Sequence, residues 1–363
     1  MAAIKIGDFV KIEFSSEPDT SITALETGTV CLLLQDSGHT GTYTVTNYND
    51  IPTELDATNK DYIKQALHGK PRKVICVVQD GSSTAVTIDT ATFGALETLS
   101  FDYLAIPGLN AEDAKKVKEW AIGVNANPMH RFSVVLPNTD GDDMHIINYK
   151  HASVTVEGKA LTTTQATPYV AGYLASTIPS RSMTMRETDA QACSAMTIAE
   201  IDSAGAAGGL VFFNDGKRVR FASDVNSLQS LDEGQDESYQ DILCVAVMDL
   251  FYNSVKKQLL EKYIGKFKNS YQNKLMLCGE IYQLLKEFEK SGLCEQGDTD
   301  VQIDVEAQTA YLREVNYKTT DGRGVSEMTL DEILRANTKK KVFLKVRMIP
   351  LGAIEAVEIK VRT

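Results

Sequence analysis

Five histidines, His39, His68, His130, His145 and His151, are the side chains here best suited to acid–base or metal chemistry near neutral pH. No two stand at the i, i+4 spacing that puts a pair of imidazoles on one helix face, and HExxH is absent. Asp140, Asp142 and Asp143 are carboxylates of the type that binds a hard cation, but they lack the DxDxDG order of a calcium loop and read as a solvated turn. Gly205-Ala206-Ala207-Gly208-Gly209 is glycine-rich, yet it introduces a strand pair and not a helix, so it reads as a flexible connector. GxxxxGK[ST] and GxSxG do not occur. The acidic stretch from Asp232 to Glu237 reads as a wet connector. Cys31, Cys76, Cys193, Cys244, Cys278 and Cys294 contain no CxxC pair and read as reduced thiols. The sequence therefore names no catalytic, cofactor-binding or metal-ligating set, and an enzyme is not expected.

The elements that carry these residues come from a chain of 363 residues, long enough for two or three domains with real cores. The net charge of −12 argues against a general nucleic-acid binder, because no basic excess is available to displace counterions from phosphate. The opening MAAIKIGDFVKIEF lacks the apolar core of a signal peptide, and no run approaches the roughly 20 apolar residues of a membrane helix. A protein without membrane insertion, not exported by the usual signal, is expected.

Apolar runs predict strands at Thr29–Leu34, Val74–Val78, Ala85–Ile88 and Phe101–Ile106. Asn59–His68 reads as a short helix capped by Asn59 and ended by Gly69. From Phe101 a strand, a helix capped by Asn110 and a strand at Arg131–Leu136 form a βαβ unit, with no phosphate-binding glycine loop between them. Thr167-Pro168 starts a helix in which Gly172 and Ala175 allow another backbone close approach. A hairpin turns at Asn214-Asp215-Gly216. Two long helices follow, with apolar stripes from Tyr239 to Leu259 and from Leu277 to Phe288. Val301–Val305, Val342–Met348 and Val357–Arg362 alternate as strands, as do Ile4–Ile6 and Val10–Phe14 at the other end.

Three segments in order carry a family resemblance. Thr167 to Ala175 followed by Ile178-Pro179-Ser180-Arg181-Ser182-Met183-Thr184 is similar to an "AGxxA…P…RS.T" motif. Gly209 to Phe213, Asp215 to Arg220 and Asp224-Val225-Asn226-Ser227-Leu228 resemble a "G.lvl..dg.vrv…vNSL" hairpin, and Tyr263 to Ser270 resembles a "y.GK..N" link between helices. Together with the closing strand, these resemble the tail sheath protein of contractile phage tails and of phage-tail-like particles such as R-type bacteriocins. The resemblance covers about Thr167 to Thr363, and the residues before 166 match in general character.

The resemblance implies a two-domain sheath architecture of mixed α/β (α+β) class, its core domain built from both termini around two long helices and a mixed sheet. The expected divisions are a strand arm at 1–25, an outer, variable, strand-rich domain with the βαβ unit at 26–165, a core domain at 166–338 and a second strand arm at 339–363. It implies hexameric rings stacked in a helical polymer around an inner tail tube, with baseplate and tail terminator proteins as further partners. The particle would assemble in the bacterial cytoplasm and act after release, by contraction that drives the tube through a target envelope. Both ends of the chain are expected to trade strands with neighbouring subunits, through Ile4, Ile6, Val10 and Ile12 at one end and Val357, Ile359 and Val361 at the other. Lys339-Lys340-Lys341 has two readings, a solvated flank that guards a strand edge or a hinge that meets a neighbour's acidic groups. The alternatives are an α/β enzyme using the unit near Pro107 and a non-contractile tail tube protein.

Overall fold

The computed structural model describes residues 24–83, 86, 88–176 and 181–355. At its centre lies a largely parallel sheet whose strands are apolar enough to be covered on both faces. Its first strand, β1 (Thr29–Asp36), is buried along its whole length. Val30, Leu32 and Leu34 face one core and Cys31 and Leu33 the other, as the two-residue period of a strand requires. β2 (Gly41–Val45) pairs antiparallel with β3 (Lys73–Asp80), and β3 lies parallel to β1.

Between β2 and β3 runs α1 (Ala57–His68). Its cap is Asp56, not Asn59: the Asp56 carboxylate accepts from the Asn59 amide at 2.7 Å. Asn59 is buried and ties the helix to the end of β1, donating to the Gln35 carbonyl and to Asp36 Oδ2. The strand expected at Ala85–Ile88 does not form over its described residues; Val86 and Ile88 are buried in a loop before α2 (Thr90–Glu97). β4 (Tyr103–Ala105), α3 (Ala111–Asn125) and β5 (Ser133–Pro137) form the βαβ unit, with parallel strands and Asn110 capping the helix at the Glu112 and Asp113 amides.

β6 (Ile146–Tyr149) extends the sheet beyond β5. A hairpin of β7 (Ser153–Val156) and β8 (Lys159–Thr162) turns at Glu157-Gly158, both in the left-handed region that such two-residue turns need. Next comes α4 (Thr167–Ala175), buried all round. β9 (Ala192–Cys193) joins β7, and α5 (Ile198–Ala206) follows. The glycine-rich segment expected as a flexible connector is therefore partly the last turn of a helix; Gly208, at φ +67°, leads out of it. β10 (Gly209–Leu210) then completes the seven-stranded sheet in the order β10-β6-β5-β4-β1-β3-β2. The expected hairpin is β11 (Phe212–Asn214) with β12 (Val219–Phe221). The Asp215 carboxylate holds its turn by accepting from the Lys217 and Arg218 amides and from Arg220 Nε.

The two long helices are α6 (Ile242–Gln258) and α7 (Tyr271–Lys290), linked through a π-turn at Leu259–Tyr263. Then come β13 (Asp300–Ile303), α8 (Val305–Glu314), α9 (Leu330–Arg335) and β14 (Leu344–Arg347). α6 is fastened to the sheet by polar contacts. Asn253 Oδ1 accepts from the Arg131 amide and its Nδ2 donates to the Arg131 carbonyl, while Tyr252 lies 4.2 Å beneath the Arg131 guanidinium.

α1 and α4 cross one face of the sheet with their backbones nearly touching. A Cβ added to Gly172 would stand 2.0 Å from the Ala66 carbonyl oxygen, and one added to Gly69 would stand 2.1 Å from the Gly172 carbonyl carbon. Only hydrogen fits at either place. Gly172→Ala is accordingly expected to push the two helices apart and to cost about 1–3 kcal/mol. A lowered midpoint of chemical denaturation checks this, and Gly94→Ala, inside α2 with nothing within 4 Å of the added Cβ, is the control expected to leave the midpoint unchanged or raise it.

Candidate assembly interface

Among the described residues the histidines serve the fold. His68 Nδ1 lies 2.6 Å from Asp189 Oδ2, and Tyr169 and Tyr173 donate to the other oxygen of that carboxylate at 2.7 and 3.0 Å. His145 Nε2 lies 3.0 Å from Asp249, joining β6 to α6. Burial opposes its charge, but the field and hydrogen bond of Asp249 outweigh burial and raise its pKa. His151 is neutral, pushed down to about 4 by burial. Its Nδ1 accepts from the Phe212 amide, which leaves the proton on Nε2, facing Ser194 Oγ. Burial also lowers His130, which contacts Asn253.

The acidic turn is likewise occupied by partners of the fold. Asp140 receives Asn148 and Lys150, Asp142 accepts the Gln229 and Ser230 amides, and Asp143 accepts the His145 amide. All six cysteines are free thiols. No helix among the described residues is long and apolar enough to cross a membrane.

A different part of the surface is unfinished. β13 and β14 pair antiparallel from Asp300↔Arg347 to Ile303↔Leu344 and, among the described residues, form a sheet of two strands. The ladder continues past an interruption, where the Leu351 amide donates to the Leu293 carbonyl and the Glu295 amide to the Ile349 carbonyl. The segment expected as an arm, 339–363, thus lies on its own subunit through this stretch. Val357, Ile359 and Val361, with Ile4, Ile6, Val10 and Ile12, lie outside the described residues.

The sheet packs on the α6–α7 pair, where Val247, Leu250, Ile281, Leu284 and Phe288 form a core that Val301, Leu344 and Val346 join. Beside β14 runs a groove of about 750 Å³. Tyr263, Phe267, Leu277, Ile281, Val342 and Leu344 give it an apolar floor, and Lys268, Lys339 and Lys340 rim it. Of the fourteen large apolar side chains exposed among the described residues, nine fall between Leu260 and Ile354. Two of these, Ile264 and Val342, line the groove itself.

Asn269 sets the entry to β14. Its Nδ2 lies 3.0 Å from Thr338 Oγ1, 3.1 Å from the Lys339 carbonyl and 2.9 Å from the Lys341 carbonyl. This explains physically why the link between the long helices ends in an asparagine: one amide group clamps the turn that launches the strand. Beneath it the ammonium of Lys274 is buried, donating to Gln308 Oε1 at 3.0 Å and to the Ala336 carbonyl at 3.3 Å, and burial lowers its pKa. Sequence alone points to the alternating strand and to the Asn269 segment, but not to the partner turn or to α8, which supplies Gln308.

A family model for the phage tail sheath protein central domain matches residues 56–227, beginning well before the stretch in which the sequence alone carries the resemblance. The chain is 30% identical over 371 residues to the tail sheath protein of Clostridium phage phiCD119, covering 97% of this chain and 98% of that one. Its fold is similar to the helical sheath of the anti-feeding prophage in the contracted state, with a TM-score of 0.69 at 14% identity over 99% of both chains. It is also similar to the sheath tail protein of Desulfitobacterium hafniense, with a TM-score of 0.66 at 17% identity over 81% of this chain and 93% of that one.

Two expectations follow from these contacts. Asn269→Ala removes the clamp on residues 338–341 and is expected to cost about 1–3 kcal/mol, with faster amide exchange in β14; Asn269→Asp, which cannot donate, should not restore it. The His68–Asp189 pair sets a pH window. The Asp189 hydrogen bond raises His68 above its ordinary value, so its contribution is full below about pH 6.5 and fades as pH rises through the folded pKa. Burial works against the Asp189 charge, but His68 and the two tyrosines hold its carboxyl at about 2, so its share is lost only as pH falls below about 4 towards that value. Denaturant titrations at about pH 6 and pH 8 should show the wild type losing more stability over that interval than His68→Asn. The sequence match along nearly the whole chain, and a fold shared with sheath structures, show that the chain belongs to the phage tail sheath family, as a structural subunit of a contractile sheath and not an enzyme.

Proposed function

We propose that this subunit polymerises as stacked hexameric rings around an inner tail tube, anchored by baseplate and tail terminator proteins, and that contraction of the polymer drives the tube through a target envelope. The subunits assemble in the bacterial cytoplasm and work in the released particle. The observation that carries this reading is the two-stranded β13–β14 sheet beside an apolar groove. Two strands alone are marginal, and an open edge is a template for another strand.

The sequences at 357–362 and within 4–14 alternate in the pattern that fits such an edge. Val357, Ile359 and Val361 would present one apolar face, with Glu358 and Lys360 on the other. Each added backbone hydrogen bond is worth about 0.5–1.5 kcal/mol net, so one strand gives modest affinity. Strands traded at both ends by every subunit make loss of one subunit require many breaks together. Connected edges also let the bodies move during contraction without the lattice coming apart, which places the energy released by contraction in body-to-body contacts.

Deleting Val357–Thr363 tests the exchange. Electron microscopy of the truncated protein should show folded subunits without ordered tubes. Sheaths of normal length and contractility from that truncation would contradict strand exchange.

A further inference from the structure

Three carboxylates from three separate segments converge behind the β11–β12 hairpin. Asp224 follows β12, Asp241 caps α6, and Glu355 lies just beyond the stretch stitched to Leu293. One oxygen from each lies within 4.8 Å of the other two. Asp224 is 3% exposed; its Oδ2 accepts from the Leu243 amide at 3.2 Å, while its Oδ1 is sealed from solvent with no hydrogen-bond partner. Asp241 Oδ1 accepts from the Cys244 amide at 2.8 Å, as an N-cap does. Glu355 Oε1 accepts from Ser182 Oγ at 2.9 Å and Thr184 Oγ1 at 2.6 Å.

Burial first, and then the charge of Asp241, push the Asp224 carboxyl up to about 7, with donors at Met183 and Ser182 offsetting only part of the rise. Burial, with the charge of Glu355 also contributing, raises Asp241 as well. The guanidinium whose field reaches Asp224, that of Arg186, is engaged by the Tyr173 carbonyl and Ser176 Oγ. A buried carboxylate that keeps one oxygen unpartnered while two more carboxylates lie close by is costly unless a positive charge joins them.

We propose that Asp224, Asp241 and Glu355 bind a calcium ion that fastens Glu355 to the start of α6. The donors are all oxygen, which selects a hard cation. Calcium takes oxygens at about 2.3–2.6 Å, so oxygens that all lie within 4.8 Å of one another can share it, and its flexible shell suits ligands drawn from three separate segments better than the strict octahedron of magnesium. Ser182 and Thr184, already beside Glu355, offer neutral oxygens to the coordination. The site sits at the root of the segment leading to Val357. Its consequence for assembly, a calcium-dependent aim for the exchanged strand, rests on the exchange proposed above; binding itself does not.

The test is calorimetric titration of calcium chloride, with magnesium chloride as the comparison, into full-length protein stripped with chelator. Expected are one calcium per chain, weaker magnesium binding, and affinity lowered by about tenfold or more in Asp224→Asn and in Glu355→Gln. Calcium should also raise the melting temperature of the wild type and not of Glu355→Gln. Glu355 is exposed, so that variant keeps the test valid if Asp224→Asn fails to fold. The proposal is overturned if stripped wild type shows neither heat nor a melting shift with calcium, meaning that a shared proton holds the cluster, or if Glu355→Gln binds calcium as tightly as wild type. Because binding is read on the subunit, a truncated protein that still forms sheaths would remove the exchange without touching this site.

Discussion

Backbone amides and carbonyls along a strand need partners, and β13 and β14 have only each other among the described residues. The rest of the molecule is arranged around that shortage. The seven-stranded sheet is covered on both faces, by α1 and α4 on one side and by α2 and α3 on the other. The β13–β14 pair is covered on one face by α6 and α7 and flanked by a groove whose floor is apolar. A stable body thus carries an unfinished edge on its periphery. That division suits a polymer whose subunits move as rigid pieces while their connections persist.

Rigidity of the body comes from close packing and from polar fasteners between elements. The α1–α4 crossing tolerates no Cβ at Gly69 or Gly172. Asp249, Tyr252 and Asn253 fix α6 to the strands and loops near His145 and Arg131, so a displacement of α6 is transmitted to the sheet. By contrast, the clamp on β14 is a single side-chain amide, that of Asn269, reaching three oxygens across the chain. Lys339 and Lys340 rim the groove, and Lys341 places its ammonium 5.0 Å over the Tyr311 ring. A lysine-lined strand edge resists indiscriminate pairing while remaining open to a complementary strand.

Much of this was legible in the residues. β1 and β3 are apolar runs because both their faces are buried, and α3, α6 and α7 announce themselves by period and cap. α5 is short and buries none of its residues, so its clearest sequence signal is the Thr197–Glu200 capping box, which α9 repeats at Thr329–Glu332. Asn59 looked like a cap but is a buried tether, since Asp56 three residues earlier takes the cap. The Asp224, Asp241 and Glu355 cluster is invisible to any local reading, because only the tertiary fold brings its three segments together. The alternation at Val357–Val361 marks a strand, but a sequence cannot say whose sheet receives it.

Amide hydrogen exchange on isolated subunits and on assembled sheaths tests the central claim most directly. If neighbouring strands complete the β13–β14 sheet, the outward-facing amides of residues 300–303 and 344–347 will exchange much more slowly in the sheath, while β1 and β3 will be equally protected in both. Equal exchange of β13 and β14 in the two states would contradict the account, since it would mean that the edge is already satisfied or is never used.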